Sequence, residues 1–294
     1  MGRFIVATGV NPDASHIDIH MVDPIVPVSG AVMLTEVAHP VSAWPDGTPS
    51  SGALLPNLVL DQAQAQFPLL TADQLKPSLL LGSTWPGKGL VERTSKGGLH
   101  LARNTVVGDA NTIARLQVPT ELITTNGMQS VLSHSFFASL WGRVTKAYAA
   151  DWSSGGAMHT AFGSNGSAYF GFYSRRTTGE TNYPTDTRRV GWRQSGAINT
   201  ATTVGPLLQN TAVANLVAPT TRNIIIHAGN DLIPTADYGK NTSLVFYRFY
   251  LEDLTVSGRT YAEVDAIDNA MFTDEVLTSG GRYYGDTFTD PNTI

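Results

Sequence analysis

Apolar and polar residues alternate with a period of two along several stretches of this chain. In Ser135–Val144 (SFFASLWGRV), Phe136, Ala138, Leu140 and Val144 fall on one face, while Phe137, Trp141 and Arg143 fall on the other. In Ser167–Ser174 (SAYFGFYS), Phe170 and Phe172 alternate with Tyr169 and Tyr173. Ser243–Leu254 (SLVFYRFYLEDL) places Val245, Tyr247, Phe249 and Leu251 on one face, with Arg248 and Glu252 opposite. Arg222–His227 is a short run whose Ile224, Ile225 and Ile226 suggest burial on both faces. A period of two belongs to strands, so residues from about 79 to 254 predict an antiparallel β domain. Gly-rich turns at Ser153–Gly156 and Gly163–Gly166 separate its runs.

The two ends read differently. Prolines follow Asn11, Asp23, Val26, His39, Trp44 and Thr48, and each disfavours helix at the residue before it. Residues 1–75 are therefore expected to form an extended arm with short strands, and its apolar stretches Phe4–Thr8, Ala31–Val37 and Leu58–Leu60 are expected to order it against the body or, in preference, a neighbouring subunit. Residues 76–256 form the β domain. Within 257–294, Thr260 and Glu263 make a T-x-x-E capping box, and Val264, Ile267 and Met271 recur at helical spacing. A short helix and a turn-rich tail (Gly280–Ile294) follow.

Composition narrows the class. Charged residues are 15% of the chain, below the roughly 25% of ordinary globular proteins, and 28 Gly and 16 Pro favour many short strands joined by tight turns. The net charge of -5 supplies no field that would draw nucleic acid or an anionic membrane, and no apolar run is long enough to span a bilayer. With no cysteine, neither a disulfide framework nor a thiolate metal site is available.

The stretches SFFASLWGRV, Asn223–His227 and Leu244–Asp268 together resemble concanavalin A-like domains of the laminin G type. The resemblance implies a mostly β fold: an antiparallel jelly-roll sandwich, here with an N-terminal arm and one short C-terminal helix. The arm, the threonine-rich cysteine-free composition and the closing GGRYYGDTF also look like structural proteins of tailed bacteriophages. That resemblance implies a virion protein of tail or capsid surface. Its partners would be other virion subunits, copies of itself and a host-surface glycan, with no direct nucleic-acid contact or membrane insertion. A carbohydrate-binding module, or a laminarinase-like glycosidase, is the alternative.

Four constellations carry candidate chemistry. Glu263, Asp265 and Asp268 are similar to the E-x-D-x-x-E signature of laminarinase-type glycosidases, with Asp268 where the family has Glu; the capping box predicts helix where that chemistry needs a strand. Gly82–Gly89 (GSTWPGKG) nearly matches a phosphate-binding P-loop, but Gly89 replaces the hydroxyl residue and no helix follows, so a turn is expected. His16, Asp18 and His20 share a strand face without a further convergent ligand. Finally, Tyr173, Arg175, Arg176, Tyr183, Arg188, Arg189, Trp192 and Arg193 concentrate aromatic and basic character around the loop 177–187, which reads as a long hairpin. Aromatic faces stack on sugar rings and guanidinium groups fork onto carboxylates, so these eight are the candidate binding residues. No residue is assigned a catalytic or metal-ligating role, and no cofactor is expected.

Overall fold

The computed structural model describes residues 23–39, 44, 48–106, 108–109, 111–123, 126–131, 134–146, 156–162, 170–175, 187–195, 202–204, 224–229 and 243–294. The strands among them are β1 (Ala31–Glu36), β2 (Ser78–Leu81), β3 (Gly89–Arg93), β4 (Leu99–Arg103), β5 (Ile113–Gln117), β6 (Phe136–Lys146), β7 (Gly156–Phe162), β8 (Phe170–Arg175), β9 (Thr187–Ser195), β10 (Thr202–Val204), β11 (Ile224–Gly229) and β12 (Ser243–Asp253). The helices are α1 (Leu60–Gln66), α2 (Thr120–Ile123), α3 (Leu254–Ser257) and α4 (Tyr261–Phe272).

The protein is mostly β. A seven-stranded antiparallel sheet runs β10-β9-β6-β12-β4-β3, with β1 also paired to β12, and a five-stranded sheet runs β2-β5-β11-β7-β8. β12 is the hub: β6 pairs along one edge, while β4 takes Leu244–Phe246 and β1 takes Arg248–Glu252 on the other. The inner faces meet in the main core, where Leu99, Leu101, Phe136, Ala138, Leu140, Phe246 and Phe249 pack with Leu79, Ala114 and Leu116. Each of the Leu and Phe side chains among them, fully buried, contributes roughly 1.5–3 kcal/mol.

A β-bulge divides β12. Against β6 the register shifts between Phe246, opposite Gly142, and Arg248, opposite Trp141, so Tyr247 is the extra residue. One inserted residue exchanges the two faces. Leu244 and Phe246 before the bulge, and Phe249 and Leu251 after it, all reach the main core. Val245 and Tyr247 instead lie in a separate cluster with Trp141, Phe272, Val276 and Tyr283. The single face of Val245, Tyr247, Phe249 and Leu251 expected from alternation is thereby corrected.

The outer face of the seven-stranded sheet is covered by its own termini. Phe137 and Tyr250 pack with Leu254 and Val264, and the tail lays Tyr283 on Tyr247 with ring centroids 4.4 Å apart. α4 begins with the expected capping box: Thr260 Oγ1 accepts from the Glu263 amide, and Glu263 accepts from the Thr260 amide. Residues 23–39 and 48–75, read from sequence as part of an arm, are built into the body. All six residues of β1 are buried, and Asn57 holds the next segment by accepting from the Leu34 amide and donating to the carbonyls of Val32 and Leu75. An unpaired β1 would leave its backbone groups without partners, which explains why the segment pairs with β12. The Phe4–Thr8 run lies outside the described residues.

Candidate functional site

Two outer sheet faces could carry a site, and they differ in chemistry. On the seven-stranded sheet, Arg248 sits at the centre of a closed ionic network. Its guanidinium donates to both Asp23 oxygens, at 2.8 and 3.0 Å, and to Glu36 Oε2 at 3.0 Å. Glu36 also accepts from Arg282 and from the Tyr283 hydroxyl. The guanidinium carbon lies 4.8 Å from the Trp141 ring centre, and the indole N–H donates to Asp268. Burial alone would raise the Asp23 carboxyl, but the charge and hydrogen bonds of Arg248 hold it below its ordinary value.

Asp23, Glu36 and His39 are near enough together to hold a cation, and no metal triad of this kind was foreseen from sequence. Their chemistry does not fit one. Arg248 and Arg282 already occupy the carboxylates, and a dication would sit beside two guanidinium groups. The cluster is a structural clamp joining residue 23, β1, β12 and the tail. The sequence triad His16, Asp18 and His20 lies outside the described residues.

The glycosidase signature is taken up by structure. Glu263 is committed to the capping box, and Asp268 is buried on α4, accepting from Ser139 and Trp141. Gly82–Gly89 forms turns, with the Trp85 amide bonded to the Gly82 carbonyl and the Lys88 amide to the Trp85 carbonyl, and it leads into β3 as the sequence suggested. Gly89 has a packing role, since a Cβ there would stand 2.3 Å from the Trp85 ring.

A hydroxyl–imidazole–carboxylate chain also crosses this sheet. His100 Nδ1 lies 2.8 Å from Glu92 and its Nε2 lies 2.9 Å from Thr145 Oγ1. His100 is fully buried, its ring 4.9 Å from that of Phe288 in the tail, and Thr289 donates twice to Glu92. Burial lowers the His100 pKa against the opposing pull of Glu92, which favours the neutral imidazole. The chain therefore secures the tail across β3, β4 and β6.

The five-stranded sheet is different. Leu79, Ala114 and Leu116 point to the core, which sends Ser78, Leu80, Ile113, Arg115 and Gln117 to the outer face, all half-buried. Among the described residues no hydrophobic cluster forms over this face. Backbone register aligns Gln117 with Ile225, Ile225 with His159 and His159 with Tyr173, a row across four strands. A neighbouring row joins Leu80, Arg115 and His227.

Of the eight sequence-derived binding residues, the six that are described divide between the two sheets. Tyr173 and Arg175 are on β8, at an edge of the five-stranded sheet, whereas Arg188, Arg189, Trp192 and Arg193 are on β9 in the other sheet. The hairpin reading is thus corrected: β8 pairs with β7, and β9 with β6 and β10, so consecutive strands belong to different sheets. Trp192 is in register with Ala138, and Arg189 and Arg193 with Trp141 and Phe137. Arg176 and Tyr183 lie outside the described residues. Arg115, Gln117, His159 and His227 were missed from sequence, although Ile113–Gln117 (IARLQ) carries the alternation that would have flagged β5.

No family model matches the sequence, and no curated protein is significantly similar to it. Among solved structures, the chain is similar to the binding domain of Paraclostridial mosquitocidal protein 1, with 11% identity and a TM-score of 0.39 over 84% of this chain and 53% of that one. It is similar at 11% identity and a TM-score of 0.40 to the binding domain of botulinum neurotoxin DC, solved with rat synaptotagmin II, over 84% of this chain and 53% of that one. A Trypanosoma rangeli sialidase solved with 2,3-difluorosialic acid gives 10% identity and a TM-score of 0.37 over 86% of this chain and 35% of that one. The chain thus spans about half the length of these toxin domains and about a third of the sialidase.

Proposed function

We propose that this chain is a binding and assembly β domain whose contact face is the outer face of the five-stranded sheet. One observation carries the choice: the Gln117–Ile225–His159–Tyr173 row and its Leu80–Arg115–His227 neighbour set amide, imidazole, phenol and guanidinium residue types on adjacent strands. The opposite outer face is closed by α4 and the tail. Aromatic rings with amide and guanidinium donors suit a polar, ring-containing ligand such as a glycan.

In finer detail, the sandwich is read as a concanavalin A-like jelly roll, and the protein as a structural virion component of a tailed bacteriophage. It would pack on other tail or capsid subunits and touch a host-surface glycan. The support is the threonine-rich, cysteine-free sequence and its closing GGRYYGDTF segment. This reading assigns no catalytic residue.

The experiment is a printed array of bacterial and animal glycans probed with the purified chain and with Tyr173→Ala and Arg115→Ala. Binding that both variants weaken supports the face. An array with no bound glycan, or binding untouched by either variant, overturns the glycan reading.

A further inference from the structure

Two cations meet where β4, β6 and β12 come together at one end of the sandwich. Arg103, the last residue of β4, is completely buried. Its Nη1 donates to the carbonyl oxygens of Lys88 and Asn104 and to Asn104 Oδ1, its Nη2 donates to the Val106 carbonyl, and its buried Nε has no partner. Its amide is held by Ser243 Oγ at 2.8 Å. Lys146, the last residue of β6, is half-buried and donates from Nζ to the Arg103 carbonyl. Gly108 permits the arrangement, since a Cβ there would stand 2.9 Å from Arg103 Nη2.

Neither cation forms an ion pair among the described residues, whereas Arg248, Arg259 and Arg282 each meet a carboxylate. A buried charge that faces only neutral carbonyls lacks Coulomb compensation, and a second cation beside it adds repulsion. The charged groups that face Lys146 are Arg103 from β4 and Asp290 from the tail. Burial and then Arg103 push its ammonium down to about 8, against the pull of Asp290.

We propose that this end of the sandwich is a subsite for a tetrahedral oxyanion, a sulfate or phosphate group, which Lys146 contacts directly while Arg103 acts as a positioning residue behind it. The subsite is distinct from the contact face on the five-stranded sheet, so either can fail without the other.

Sulfate is the probe, because its charge is constant across the pH range used. Calorimetric titration of the full chain with sodium sulfate should give saturable binding that sodium chloride at matched ionic strength does not. Lys146→Met should weaken it at least about tenfold, and Lys146→Arg should restore it. Between pH 7 and pH 9 the wild-type affinity should fall about tenfold, as a lysine titrating near 8 loses its proton, while Lys146→Arg stays flat. At a single pH, inorganic phosphate should compete with sulfate, and acetate should bind more weakly. No heat beyond the chloride control overturns the proposal. So does equal affinity in Lys146→Met, a flat wild-type pH profile, or tighter binding of acetate than of sulfate.

Discussion

Arg248 and Asp23 form a two-point ion pair, Nη1 to Oδ2 at 2.8 Å and Nη2 to Oδ1 at 3.0 Å, across 225 residues of sequence. The pair fixes the segment entering β1 onto the central strand. Glu36 extends it to Arg282, so one buried network also holds the C-terminal tail. Bidentate geometry and the facing carboxylates offset the desolvation of Arg248, whose buried Nε alone has no partner, and removing Arg248 leaves Asp23 buried without a cation.

Arg248→Met should therefore cost about 3–5 kcal/mol, because it leaves the buried Asp23 carboxylate without its cation and Glu36 with Arg282 alone. Guanidinium unfolding monitored by circular dichroism measures this. A cost below about 1 kcal/mol, the range of exposed pairs, would show that the clamp is not closed in solution.

Acid should loosen the same region. Burial, opposed by Glu36, holds the His39 pKa below its ordinary 6.5, and His100 shifts the same way. Just below pH 6.5 the unfolded chain binds more protons than the folded one, so stability falls as pH drops through that window. Asp23 is depressed below 3.8, so its contribution persists above that value and is lost only as pH falls through the folded pKa. The melting temperature should fall between pH 7 and pH 5.5, and His39→Gln should flatten that fall. An equally steep fall in the variant removes His39 from the account.

The start of α4 offers a local test. Thr260→Ala removes the hydroxyl that accepts from the Glu263 amide and should cost about 1 kcal/mol. Thermal unfolding reads it, with glycan-array binding expected to be unchanged. A loss of binding without a loss of stability would return Glu263 to functional consideration.

How far the sequence carried the fold depended on whether a signal was local. Alternation reveals β6, β8 and β12, the run of three Ile reveals β11, and the Thr260–Glu263 spacing reveals α4, because each pattern is complete within a dozen residues. The bulge at Tyr247 was hidden because an inserted residue leaves the alternation intact while reversing its meaning. The place of β1 was hidden as well. Ala31–Val37 is visible as an apolar run, but nothing local names Arg248–Glu252 as its partner, and six proline-bearing dipeptides argue for an arm. The hairpin reading of the basic–aromatic stretch was misled for a related reason. Nearness in sequence of Tyr173 to Trp192 implies a hairpin only if their strands pair, and the chain crosses between sheets there. The row through Gln117, Ile225, His159 and Tyr173 draws one residue from each of four strands, so only strand order assembles it.

The central claim is that ligand contact belongs to the outer face of the five-stranded sheet. Its most direct test compares Arg115→Glu and Tyr173→Ala with Arg189→Ala, which is on the other sheet, on one glycan array at matched folded concentration. The account predicts that the first two lose binding at least about tenfold, more than 1.4 kcal/mol, and that Arg189→Ala keeps it. Binding lost in Arg189→Ala and retained in the other two would contradict it.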